Sequence, residues 1–393
     1  MKPNISSFSK ALCGLLLHNF IDVAKIPLIL IGLAVLSACS DSSDKVRNET
    51  AQPEGIWQEH TCEMAIPEGL SENDFTCGTF SVPVDWDNSG DETVGFEVAI
   101  LKAKNSPSEP DPFVFLGGGP GAWNLEGYLY REAGSVLSPI AETRDIIFFD
   151  KRGNGLSDPS LFCPEFYEQT IQLYSVVADS SQDVDTLLIV YEKCHTRLAG
   201  DGIPLSNFNS YQIANDLASL MDVLGYEAYN LFGISYGTKE AQVMMRDHPE
   251  KIRSVIMDST VLPGDHAPAN WARNFVRSYE LLFASCAASD TCAASYPQLE
   301  ATLIDAVNQL NDTPHYSPIT QDDGSVLDVY VTGDRFVSGI ASALYRADLL
   351  SLLPLVIHNT AAGNMGFVDA LVPQLISTGG DDLGLRSSTR CTE

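Results

Sequence analysis

Tyr229-Asn230-Leu231-Phe232-Gly233-Ile234-Ser235-Tyr236-Gly237 is the stretch on which the reading of this chain turns. A short apolar strand runs into Gly-x-Ser-x-Gly, and a helical pattern follows from Thr238 to His248, stopped by Pro249. That is the strand–turn–helix setting of a nucleophile elbow, which holds a serine on a sharp turn with its hydroxyl exposed. At ordinary glycine and serine usage the five-residue pattern arises by chance about 0.1 times in a chain of this size. The competing reading is a glycine-rich turn with an inert serine. A serine hydroxyl is a weak nucleophile until a positioned base takes its proton.

The neighbouring segments repeat the strand–helix alternation. Phe113–Leu116, Ile146–Phe149 and Ser254–Met257 are short unbroken apolar runs, expected of strands buried on both faces. Val94–Ala103 alternates apolar and polar positions like a strand. Ile213, Leu217, Leu220, Met221 and Leu224 share one helical face, with Asn209 and Gln212 placed as a capping box and Gly225 as the stop. The pattern predicts an α/β fold, a mostly parallel sheet with helices on both faces. After about Gly264 the chain turns helical: Trp271–Ala287, Gln298–Leu310, Phe336–Tyr345 and Leu349–Thr360 read as helices, with an extended excursion over Asp322–Val331. This block reads as a cap over the sheet's C-terminal edge, where ligands bind in such folds.

Two more loops end strands. Gly117-Gly118-Gly119-Pro120-Gly121 follows Leu116. Glycines let main-chain N–H groups approach a reacting carbonyl, which acyl transfer needs for its oxyanion. A phosphate loop is disfavoured, because neither a G-K-[ST] ending nor a G-x-G-x-x-G with a distal acid is present. Asp150-Lys151-Arg152-Gly153-Asn154-Gly155-Leu156-Ser157-Asp158 follows Phe149.

Gly-Gly-Pro-Gly, Asp-x-Arg-Gly-x-Gly-x-Ser-Asp and Gly-x-Ser-Tyr-Gly together resemble the proline iminopeptidase and tripeptidyl aminopeptidase family of serine peptidases. The resemblance covers about Glu54–Thr260 well and the cap loosely. It implies an α/β-hydrolase fold with a helical cap. It also implies Ser235 as nucleophile, and the N–H groups of Gly118 and Tyr236 as the oxyanion hole. Asp150 and Arg152 would brace the site. Peptides cleaved from the N-terminus would be the substrates. The rivals are an esterase of the same fold and a non-catalytic remnant or binding protein. No cofactor, metal or nucleic-acid partner is expected.

In that family the triad acid and histidine follow the cap, in a Gly-x-x-Asp-x-x-Thr-Pro motif and a Gly-His turn. Neither motif occurs here. His248, His315 and His358 read as a surface, a loop and a cap-helix residue. His266, with Asp258 and Asp265 nearby, is the least poor base candidate, and Asp258 the matching acid. Arg390-Cys391-Thr392-Glu393 resembles the segment after the cap, so a chain truncated before its final strands is expected, with the strand near Met257 left as an unpaired sheet edge. Asp334 and Asp348 are cap carboxylates that could hold a substrate ammonium.

The N-terminus reads as an address. Lys2, Lys10 and Lys25 precede the 13-residue apolar run Ile26–Ala38, too short to span a bilayer. Leu36-Ser37-Ala38-Cys39 resembles a bacterial lipobox, which implies a lipid on Cys39. Ser40, rather than aspartate, points to the periplasmic face of the outer membrane. The expected division is therefore signal peptide 1–38, tether 39–55, core 56–264, cap 265–385, and the start of a C-terminal part at 386–393.

The net charge of −29 repels phosphate backbones and reads first as solubility. Apolar content of 45% and aromatic content of 9% exclude a disordered chain. Export allows disulfides. The simplest pairings are Cys62–Cys77, Cys163–Cys194 and Cys286–Cys292, leaving Cys391 over.

Overall fold

The computed structural model describes residues 55–88, 90–133, 137–264, 267–321, 324–376 and 382–393. The signal peptide, lipobox, Cys39, Asp265 and His266 lie outside them.

Among the described residues seven strands form one sheet: β1 (Ile56–His60), β2 (Phe75–Pro83), β3 (Thr93–Leu101), β4 (Phe113–Leu116), β5 (Ile146–Phe149), β6 (Tyr229–Ile234) and β7 (Ile252–Asp258). Their order is β1-β2-β3-β5-β4-β6-β7. β1, β2, β3 and β5 pair antiparallel in succession, while β5, β4, β6 and β7 run parallel. From β4 the chain crosses to β5 on one side, then returns past β4 to β6 on the other. The loops after these three strands therefore open into one crevice at a topological switch point.

All four residues of β4 and of β5 are buried. Their side chains alternate between two apolar clusters. Val114, Leu116, Ile147 and Phe149 join one, and Phe113, Phe115, Ile146 and Phe148 the other. A strand with both faces covered needs no polar alternation, which is why these runs read as unbroken.

The longer helices are α1 (Pro164–Tyr174), α2 (Ser180–Gly200), α3 (Ser210–Val223), α4 (Tyr236–Asp247), α5 (Ala267–Ala288), α6 (Leu299–Asp312), α7 (Gly333–Ala343), α8 (Leu353–Ala361), α9 (Gly366–Ile376) and α10 (Leu383–Thr392). α3 and α4 bury Ile213, Leu217, Leu220, Met221, Ala241 and Met244. The helices after Gly264 form their own apolar cluster around Leu303, Leu310, Phe336, Ile340 and Ile357. The excursion before α7 consists of two short antiparallel pairs, Ile319–Thr320 with Val326–Leu327 and His315–Tyr316 with Tyr330–Val331. α10 returns to the sheet, where Leu383 and Leu385 pack into the cluster containing Leu161 and Leu198. Residues 386–393 thus form most of a helix lying on the core.

Three expectations are corrected. β7 is the edge of the sheet, not a buried strand, and Ile256 and Met257 are 49% and 40% exposed. The α3 cap is half a capping box. Asn209 accepts from the Gln212 N–H at 3.0 Å, but the Gln212 side chain accepts from the Trp86 N–H instead. His248 is half-buried rather than on the surface; its Nε2 meets Asn215 Oδ1 at 3.0 Å, and burial lowers its pKa.

The disulfides are Cys62–Cys77, Cys163–Cys194 and Cys286–Cys292, and Cys391 is a free, exposed thiol. Among the described residues no helix is long and apolar enough to cross a membrane.

Candidate active site

Ser235 joins β6 to α4 with φ 53° and ψ −118°. This conformation is costly for a residue with a Cβ. It is held from several sides. The Ser235 N–H donates to the Asp258 carbonyl at 2.9 Å, and the Thr238 N–H donates to the Ser235 carbonyl at 3.0 Å. Thr238 Oγ1 donates to the same carbonyl at 2.6 Å and accepts from the Val261 N–H at 2.8 Å. The flanking glycines are required sterically. A Cβ on Gly233 would lie 2.6 Å from the Gly237 carbonyl oxygen, and one on Gly237 only 1.9 Å from the Leu116 oxygen.

That second contact brings the glycine loop against the elbow. A Cβ on Gly118 would sit 3.1 Å from the Ser235 Cβ and 3.3 Å from the Ile234 oxygen. Buried Lys151 donates to the Gly117 carbonyl at 2.7 Å. Across a trans peptide the C=O and N–H point oppositely, so this bond turns the Gly118 N–H away from Lys151. The Tyr236 N–H is the first main-chain donor of α4, where a helix leaves its N–H groups unpaired. The structure thus brings Ser235, Gly118 and Tyr236 together, an arrangement able to polarise a carbonyl held against the serine.

The supports are buried charges. Lys151 pairs with Glu240 at 2.9 Å, and burial pushes the Glu240 carboxyl up to about 7 against that pull. Asp150 accepts from the N–H groups of Asn124, Leu125 and Leu156 at 3.0, 3.2 and 2.9 Å. Burial still pushes its carboxyl up to about 6. Arg152 is fully buried and donates to both Asp216 oxygens and to the carbonyls of Pro83, Val84 and Asn207. Asp382 accepts from Gly155 N–H at 2.7 Å and Trp123 Nε1 at 2.8 Å, and its own N–H reaches the Gly121 carbonyl at 2.7 Å. The Tyr236 ring is buried, with its hydroxyl 2.6 Å from Ser210 Oγ, and burial holds its phenol well above the ordinary range.

The other candidates are placed elsewhere. Asp258 touches the elbow through its carbonyl, while its exposed carboxylate accepts from Ser259 Oγ at 2.9 Å. His266 lies outside the described residues. His315 meets Asp369 at 2.7 Å, and His358 lies edge-on to Tyr296. Asp334 accepts from Ser180 N–H and Asn311 Nδ2, and Asp348 pairs with Arg346. Among the described residues no histidine is hydrogen-bonded to Ser235. The ligand-like grouping Cys163, Glu165 and Cys194 is a disulfide beside a carboxylate rather than a set of thiolates. Sequence reasoning missed Lys151, Glu240 and Asp382. The only signal was the position of Lys151 between two residues already singled out.

Comparison with known proteins fits this geometry. The model of the alpha/beta hydrolase fold matches residues 111–303. YuaR of Escherichia coli (strain K12), described as a hydrolase, is 24% identical over 265 residues, covering 65% of this chain and 50% of its own. Serine protease Hip1 of Mycobacterium tuberculosis (strain ATCC 25618 / H37Rv) is 24% identical over 240 residues, covering 59% and 45%. Tripeptidyl aminopeptidase of Streptomyces lividans is 23% identical over 210 residues, covering 53% and 38%. The chain thus spans half or less of the length of these curated relatives. Among solved structures, a proline iminopeptidase-related protein from Thermus thermophilus is 22% identical with a TM-score of 0.26, over 45% of this chain and 42% of that one. From its sheet order, its elbow and the matching family model, this chain is an α/β-hydrolase-fold protein.

Proposed function

We propose that the chain is an exported serine hydrolase that cleaves peptides from their N-terminus through an acyl-enzyme on Ser235. The observation that carries this is the strained Ser235 backbone with the Gly118 main chain packed on it. The relatives named serine protease and tripeptidyl aminopeptidase support peptides as the substrate class. Ser235 Oγ attacks the scissile carbonyl and gives up its proton. The carbonyl electron pair moves onto oxygen, facing the Gly118 and Tyr236 N–H groups. The C–N bond then breaks, the amine leaves with a proton, and water hydrolyses the ester on Ser235. The oxyanion hole and binding alone can exceed the reaction in water by ~10³–10⁴. A lipid on Cys39, holding the domain at the periplasmic face of the outer membrane, belongs to the same proposal.

Paired peptide anilides, one with a free and one with an acetylated N-terminus, test this. Release from the free form, lost in Ser235→Ala, is expected. Equal cleavage of both forms, or turnover of esters alone, would rule out an aminopeptidase.

A further inference from the structure

Tyr128 lies outside the elbow and both motif loops, yet its hydroxyl is at the same place. The Gly118 N–H donates to Tyr128 Oη at 3.3 Å. A Cβ on Gly118 would be 3.0 Å from that oxygen and 3.1 Å from the Ser235 Cβ, so the Tyr128 hydroxyl and the base of the Ser235 side chain flank one point. The ring is fixed there. Residues Asn124–Leu129 form a π-helical turn, closed by the Tyr128 N–H donating to the Trp123 carbonyl at 3.2 Å. Such turns often mark functional sites. Asp150 pins the start of the turn. The Arg131 guanidinium lies 4.8 Å from the ring centroid and the Phe115 ring 5.2 Å. A Cβ on Gly117 would meet the ring carbons at 2.8 and 2.9 Å, so glycine there makes room for this tyrosine.

We propose that the Tyr128 hydroxyl is a third oxyanion donor for the reaction at Ser235, an assignment that rests on the hydrolase reading above. A phenol both donates and accepts. In the free protein Tyr128 Oη occupies the Gly118 N–H. When a substrate oxygen takes that N–H, the hydroxyl is released to donate its own proton to the same oxygen. Negative charge developing there is then held by two main-chain donors and one side-chain donor.

The test is the rate at which a fluorophosphonate labels Ser235. In that step the Oγ–P bond forms and the P–F bond breaks, with fluoride and the serine proton leaving to water. The phosphoryl oxygen takes the oxyanion position. Tyr128→Phe keeps the ring and is expected to slow labelling about 10²-fold or more, the usual loss of one such donor. A ring-fluorinated tyrosine at position 128 keeps the shape and donates more strongly. Under identical conditions it is expected to label faster than wild type, which a merely structural role would not produce. Wild-type labelling with Tyr128→Phe unchanged, or no gain with the fluorinated residue, overturns the inference alone. No labelling of folded wild type overturns the hydrolase reading and this inference with it.

Discussion

Replacing Ser235 by glycine should make the protein more stable while removing its proposed nucleophile. At φ 53° and ψ −118° an L-residue carries strain of about 1–3 kcal/mol. Glycine adopts this region freely but adds freedom to the unfolded chain, costing about 0.5–1 kcal/mol. The Ser235 side chain makes no capping hydrogen bond to α4, so no cap is lost. The main-chain bonds to Asp258 and Thr238 remain available to glycine. The net gain is about 1 kcal/mol, the difference between the relieved strain and the added chain freedom. Ser235→Ala is the reference, because alanine also loses the hydroxyl but keeps the Cβ and its strain. Urea unfolding of the two variants at one pH compares them. The glycine variant should have the higher midpoint at an unchanged slope. Equal midpoints, or a less stable glycine variant, would mean that the elbow stores no strain.

Two further outcomes probe the supports. Arg152→Met removes five hydrogen bonds and leaves Asp216 buried without its cation, so unfolding free energy should fall by about 3–5 kcal/mol. A loss below about 1 kcal/mol in urea titration would contradict the pairing. Burial pushes the Asp382 carboxyl up to about 7, so between about pH 4 and 7 the folded chain keeps a proton that the unfolded chain has released. That contribution is fully present below about pH 4 and is lost as pH rises through about 7. Asp382→Asn should flatten this decline by up to about 1.4 kcal/mol per pH unit, whereas parallel stability–pH curves for wild type and variant would refute the assignment.

The elbow was legible because its geometry allows few residues. Gly233 and Gly237 face main-chain oxygens that leave no room for a Cβ, so the pattern survives in the sequence as a motif. β4 and β5 were legible because burial on both faces removes polar residues altogether. β7 reads as buried for the same reason, since a short apolar run does not say whether a further strand lies beside it, but the edge expected near Met257 is where the sheet ends among the described residues. The buried charges were hidden by their own chemistry. Lysine and arginine ordinarily lie at the surface unless paired, and the partner of Arg152 is 64 residues away. Tyr128 was hidden because its place depends on a π-turn fixed by Asp150, a long-range contact without local periodicity. The Gly-rich loop announced a close approach without saying that Gly117 makes room for a tyrosine and Gly118 for the serine.

The proposed hydrolase reaction requires Ser235 to be a nucleophile held ready by its backbone. The most direct measurement is the mass of the Ser235 peptide after the folded protein meets a fluorophosphonate probe. A phosphonyl adduct on Ser235, absent in folded Ser235→Ala, is the expected result. An unmodified Ser235, or equal labelling of both proteins at another residue, would contradict the claim.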